Sequence, residues 1–476
     1  MTIRFEITEQ ERCLRLAVLV NDEAVWPHPG IGDEASDFDA EDVMSYLVDS
    51  WPSLLLTQAF PIPFSARQMP RSLTGLMSAA EARWDSFGVN SRHKVENEQS
   101  RLDAFLYAHD LSQMKFGAGL EPFYVLRSGP RMRIETFNRF VEGVTFTEFM
   151  TAMEGLGESA ATLLGNNHSM VARWQMRNNV DPETVLAFIG GLPRANVTAA
   201  AAEMVYLKTL VAGRGLSEIA NDNRQPILAA ARMAGSLGVT SLCAVTNAVR
   251  ELKSGDGNSL ATFRVRNVSP CLRNNSNPTD QGIRVANEVR EWLSLNGSDV
   301  VDLSSLSMRL NIKVHRVEIP ETRLDGLAVT MGDHGPSVLL NTGTSRRGNG
   351  RDDLERSLNF TWAHEVGHLL MDDPEEWPVL VDTLADAQRL PRMVETRANA
   401  FAAHLLLPVL TALQRWKEAG EPRDWPNLES LLNNLAETYN LPRIVVARQV
   451  GRGVPEDRGD LVQDVFLQNI PGFYPG

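Results

Sequence analysis

The apolar positions follow one period and then another along the first third of the chain. Ile3, Phe5 and Ile7 alternate with polar residues, the pattern of a strand with one buried face. Residues 14–20 form an apolar run, Asn21-Asp22-Glu23 reads as a turn and Ala24-Val25-Trp26 returns, so a hairpin is expected. Over 39–56 the period lengthens. Val43, Leu47 and Trp51 fall on one helical stripe, and acids stand at its start, where the helix dipole favours them. A second hairpin is expected over 123–134 around Ser128-Gly129-Pro130, and a helix over 146–164. Residues 1–165 therefore read as a mixed α/β domain.

Residues 166–275 read as mostly helical. Pro182 stands at a helix start, Gly190-Gly191 at its end, and Gly213 and Gly215 between segments. Two short helices over 216–238 fit a helix-turn-helix in outline. Pro226 can as easily open an ordinary packing helix, however, and nothing basic accompanies the pair, so no DNA-reading role is expected. The polar stretch 273–279 is the clearest linker. Beyond it the pattern predicts helices over 281–295 and 303–310, strands over 312–317, 326–330 and 337–340, a loop over 343–350, and then a helix through 360–370. The expected class is α+β.

Length and charge narrow the function. A chain of 476 residues exceeds what one core usually serves, and two or three domains are expected. No apolar run is long enough to span a bilayer, and the charged start MTIRFEITEQER lacks the order of an export signal. Cys13, Cys243 and Cys271 lie far apart, which fits a reducing cytoplasm. The net charge of −14 and pI near 5.2 argue against a duplex-binding surface. The arginine groups 127-131-133 and 346-347-351 each have acids nearby. Neither a membrane nor a nucleic acid is an expected partner.

The chemistry lies in Phe360-Thr361-Trp362-Ala363-His364-Glu365-Val366-Gly367-His368. Two histidines four residues apart on a helix lie nearly above one another, so both imidazoles can reach one ion. Glu365 is turned about 100° from His364 and leans over the open coordination position as a general base. The pattern alone recurs by chance. Glu395, on a following helix, supplies the third ligand that a catalytic zinc needs. Asn399 shares the Glu395 face and is expected to hold a ligand histidine by a hydrogen bond. Ala398, Ala402 and Ala403 let the two helices approach. His404, about 900° of rotation beyond Glu395, faces the other way and is not expected to bind metal. Asp372 continues the histidine stripe by one more turn and can hold a ligand histidine from behind, though a carboxylate there reads first as a helix-end acid. Met371 and Pro374 stand where H-E-x-x-H-x-x-G-x-x-H would place its glycine and third histidine.

The run F-T-W-A-H-E-V-G-H-L-L, followed by E-T-R-A-N-A-F-A-A-H-L-L-L-P, resembles the ImmA/IrrE family of metallopeptidases. The likeness covers about 278–408 and extends loosely to 452, so 279–452 is the expected peptidase domain and 453–476 a tail. It implies a zincin-like fold, with a small sheet packed on the HExxH helix. It also implies zinc, or another divalent ion, on His364, His368 and Glu395, with Glu365 catalytic. Members are known for cutting helix-turn-helix repressors, which makes such a repressor the implied protein substrate. Residues 338–341 would then hold an extended substrate by edge pairing. Asn359 stands where the family often has a basic residue. The long region before 279 is not part of the minimal peptidase. It motivates an alternative reading, a regulatory or sensing protein whose metal site is structural or signal-gated.

Overall fold

A computed structural model describes residues 2–27, 36–62, 64, 70, 72–88, 91–115, 120–137, 139–222, 225–233, 238–252, 257–273, 277–320, 324–330, 335–344, 351–375, 377, 379–383 and 392–470. The first hairpin turns on Asn21 and Asp22, both at positive φ (50° and 64°). That two-residue geometry matches the twist of the flanking strands, and Asn and Asp tolerate it better than bulkier residues. It joins β2 (Cys13–Val20) to β3 (Glu23–Trp26), and β1 (Ile3–Gln10) pairs antiparallel along the other edge of β2. β4 (Ser36–Asp39) completes this sheet against the first half of β2.

Asp39 then caps the helix Ala40–Leu56 by accepting a bond from the Glu41 amide. Val43, Leu47 and Trp51 are all fully buried along it. Around this helix pack the helices Arg92–His109, Phe146–Leu164 and Pro182–Gly190. β5 (Tyr124–Ser128), β6 (Arg131–Glu135) and β7 (Phe140–Thr145) form a second antiparallel sheet. A capping box between Thr145 and Glu148 starts Phe146–Leu164. Pro182–Gly190 begins with Asp181 as cap and ends on Gly191 in the left-handed region (φ 58°).

The two short helices at 216–238 are Leu216–Asn221 and Pro226–Met233. The second is a core helix, with Ile227, Leu228, Ala229, Ala230 and Ala231 all buried. Its one arginine, Arg232, is buried too, donating to the carbonyls of Ile219, Ala220 and Asp222. A recognition helix must offer side chains to a groove. This one spends its cation on closing the helix before it.

Contacts divide the chain into two compact units, Met1–Asn247 and a second that begins at Ala248. The division falls ahead of the polar stretch 273–279 because the turns Arg264–Val268 and Ser269–Arg273 pack on the helix Pro278–Trp292. In the second unit β8 (Lys313–Val317), β9 (Leu324–Val329), β10 (Ser337–Asn341) and β11 (Val379–Thr383) form one sheet in the order β11-β9-β10-β8. β10 runs parallel to β8 and antiparallel to β9, so both of its hydrogen-bonding edges are taken. The edge pairing expected of 338–341 is therefore overturned. The buried Asn341 ties the sheet's loops together, accepting from the amides of Ile319 and Gly343 and donating to the Leu324 carbonyl.

The HExxH helix (Arg351–Met371) lies against β9 and β10. The Glu395 helix (Arg392–Leu406) packs on it and on Pro278–Trp292. Small residues set these distances. A Cβ on Gly282 would lie 2.3 Å from the Arg397 carbonyl oxygen, and one on Gly367 would lie 2.8 Å from the Phe401 ring. Helices Val409–Glu418, Trp425–Thr438, Arg443–Gly453 and Glu456–Asn469 follow. Of the expected loop over 343–350, residues 345–350 lie outside the described residues, as do His28, His334, Arg346, Arg347 and 471–476.

Candidate metal centre

His364 and His368 sit one turn apart on a helix buried between sheet and partner helix, and both are almost wholly enclosed. Their Nε2 atoms are 2.9 Å apart. Glu395 reaches over from its own helix, with Oε2 3.5 Å from His364 Nε2 and Oε1 3.6 Å from His368 Nε2. Three donors about 2.0–2.1 Å from a tetrahedral ion would stand about 3.3 Å from one another. The observed triangle brackets that spacing, and among the described residues these three form the group able to hold a metal.

The ring of His368 is fixed from behind. Its Nδ1 lies 2.6 Å from Asp372 Oδ2, so Nδ1 carries a proton and Nε2 is the ring atom turned toward His364. Asp372 is itself buried and held twice. Arg397 donates from Nη2 to its Oδ1, and Arg264 donates from Nη2 to its carbonyl oxygen at 2.5 Å. Arg397 also reaches Gln281 Oε1 at 3.3 Å. Burial disfavours an imidazolium at His368. The bonds and charges of Asp372 and Glu395 outweigh burial and hold its pKa well above the ordinary histidine value. Such a centre favours positive charge. A divalent cation satisfies two imidazole lone pairs and a carboxylate together, and the donor set fits one.

Glu365 is fully buried on the same helix. β9 passes close beneath it at Gly326, where an added Cβ would lie 3.0 Å from Glu365 Oε1 and 2.7 Å from Thr361 Cγ2. Only glycine lets strand and helix approach this closely.

The structure thus brings His364, His368 and Glu395 together and puts Glu365 beside them on the helix. Asn399 is exposed, and among the described residues no hydrogen bond joins it to either histidine. Asp372, which the sequence offers first as a helix-end acid, holds the place expected of Asn399. His404 is buried away from the triad, its Nε2 3.0 Å from Asn287 Oδ1. Burial first, then the charges of Arg290 and Arg452, push its pKa down to about 4.

Residues 349–450 match the model of a peptidase family described as the IrrE N-terminal-like domain. This segment is an ImmA/IrrE-type peptidase domain. No curated protein and no solved structure matches the chain. The matched ImmA/IrrE-type segment opens just before the HExxH helix and closes within Arg443–Gly453. It contains both ligand-bearing helices and Asp372. It does not contain Arg264, which bonds the Asp372 carbonyl, nor the helix Pro278–Trp292 and strands β9 and β10, which pack on those helices. The chain as a whole is mixed α and β, with small sheets and many helices, and no helix among the described residues is long and apolar enough to cross a membrane.

Proposed function

We propose that this protein is a zinc-dependent endopeptidase that cuts a specific protein partner, with a helix-turn-helix repressor as the first substrate to test. The observation that carries the reading is the convergence of His364, His368 and Glu395 from two helices of an ImmA/IrrE-type domain. The HExxH helix lies against β9 and β10, which supports reading the domain as zincin-like. When bound, the ion acts as a Lewis acid toward a carbonyl and lowers the pKa of water. His364, His368 and Glu395 hold it, and Asp372 keeps His368 in the tautomer that can. Glu365 receives the proton of the attacking water and delivers it to the leaving amine. Its burial beside β9 keeps bulk water from competing for that proton. Free Cys13, Cys243 and Cys271 suit a reducing cytoplasm.

The test is co-expression with a helix-turn-helix repressor, taken from beside this chain's gene where one is encoded there. The expected result is a discrete fragment with the wild type and none with Glu365→Gln, while both bind one equivalent of zinc. Equal cleavage by Glu365→Gln would remove Glu365 from the chemistry.

A further inference from the structure

The first unit contains a cavity of 660 Å³, within the range of small-molecule sites. Three elements wall it: Ala40–Leu56, Arg92–His109, and the segment from Pro182–Gly190 to Arg194. Ala104, Phe105, Ala187, Phe188 and Leu192 give it a largely apolar lining.

Its polar groups differ in whether they are already matched. Behind the lining, His109 is buried and kept neutral, its pKa pushed down to about 4 by burial. Its Nδ1 donates to the Val125 carbonyl at 2.8 Å, so Nε2 accepts from Ser53 Oγ at 3.0 Å, and Ser53 Oγ lies 3.3 Å from Thr57 Oγ1. That wall is neutral and internally bonded. At the rim Asp49 pairs with Arg173 at 2.8 Å, and Arg194 with Asp181 at 3.4 Å.

Arg101 is the exception among the charged groups. It donates one bond, from Nη2 to the Gly191 carbonyl at 2.9 Å, and no carboxylate of the described residues lies within ion-pair distance of it. The nearest acid in sequence, Glu98, is taken by Arg83 through two bonds of 2.9 Å and by Trp84 at 3.0 Å. A half-buried guanidinium with most of its donors unassigned, on the wall of an apolar cavity, calls for an anionic acceptor. From this we infer that the cavity binds a small organic anion with an apolar body, its carboxylate or similar acid on Arg101 and its hydrocarbon portion against Phe105, Phe188 and Leu192. The inference stands apart from the peptidase reading, since it uses no residue of the metal centre.

Calorimetry on the full chain tests it with decanoate, decanol and decyltrimethylammonium, which share one tail and differ in the head. Decanoate is expected to bind at one site, decanol roughly tenfold more weakly for want of the charge-assisted bond, and the cation not at all. Arg101→Leu should bring decanoate down to the level of decanol and leave decanol unchanged, whereas Arg101→Lys should keep the preference for the acid. Ala104→Trp, which fills the space without touching the charge, should abolish binding of both at an unchanged melting temperature. Equal binding of acid and alcohol by the wild type, binding of neither, or an Arg101→Leu protein that still prefers decanoate would overturn the assignment.

Discussion

Asp372 does for His368 what no metal ligand can do for itself: it chooses the tautomer and stops the ring from turning. Asp372→Asn should therefore lower zinc affinity by about 10- to 100-fold, read by competition with a chromophoric chelator, while the far-UV spectrum stays that of the wild type. An unchanged affinity would reduce Asp372 to a helix-end acid. The sequence supports that lesser reading, because the feature that distinguishes it, the guanidinium of Arg397 on its other oxygen, lies 25 residues on, past the strand β11. Asn399 misleads for the opposite reason: helical spacing puts it on the Glu395 face, but that face opens to solvent one turn on. Two other histidines make a pH prediction. His109 and His404 are held neutral, with pKa values near 4 against an ordinary 6.5. Below about pH 6.5 the unfolded chain takes up protons that the folded chain refuses, so stability is full above that pH and falls toward pH 4, by about 3 kcal/mol per histidine at most. Denaturant titration across this window should find the loss halved in His404→Gln; an identical pH profile would mean that His404 titrates freely in the fold.

The elements that the chain announces are those whose inner face is apolar. Both hairpins, the helix after Asp39 and the helix Phe146–Leu164 could be placed within a residue or two, because Val43, Leu47 and Trp51, or the turn at Asn21-Asp22, leave few alternatives. Arg92–His109 carries a weaker signal, since one position of its inward stripe is Glu98, buried only because Arg83 and Trp84 bond it. β4 has a single apolar residue, Phe38, and β11 finds its partner β9 some fifty residues back in the chain. Such pairings are decided by tertiary contact, not by local pattern. The closest helix contact was equally silent. Gly282 looks like a defect in Pro278–Trp292, yet its missing Cβ is what admits the backbone of the Glu395 helix. Gly282→Ala should cost about 1–3 kcal/mol in chemical denaturation and weaken zinc binding with it, since Glu395 rides on the displaced helix. A stable variant with normal zinc affinity would show that the two helices can separate at no expense to the site.

At the scale of the molecule, the compact unit around the candidate metal centre begins at Ala248, about a hundred residues before the ImmA/IrrE-type match begins. A chain of residues 248–476 should unfold cooperatively and bind one zinc. A chain of 277–476 lacks Arg264, whose bond to the Asp372 carbonyl closes the end of the HExxH helix, and it should melt several degrees lower and hold zinc less tightly. Arg264→Ala in the full chain should reproduce the second effect without any truncation, and an unaltered melting point there would locate the loss elsewhere. The arginine also bears on how such a protein can be inherited. Recombination that carried only residues 349–450 into a new gene would move all three residues of the candidate metal centre and leave behind the strand that approaches Glu365 and the cation that bonds the Asp372 carbonyl. The transplanted piece would need a host able to supply an equivalent β-strand and an equivalent positive charge. Lineages that shuffle this domain should therefore exchange it together with a stretch upstream of the recognisable motif, so that the true unit of descent is longer than the segment by which it is recognised.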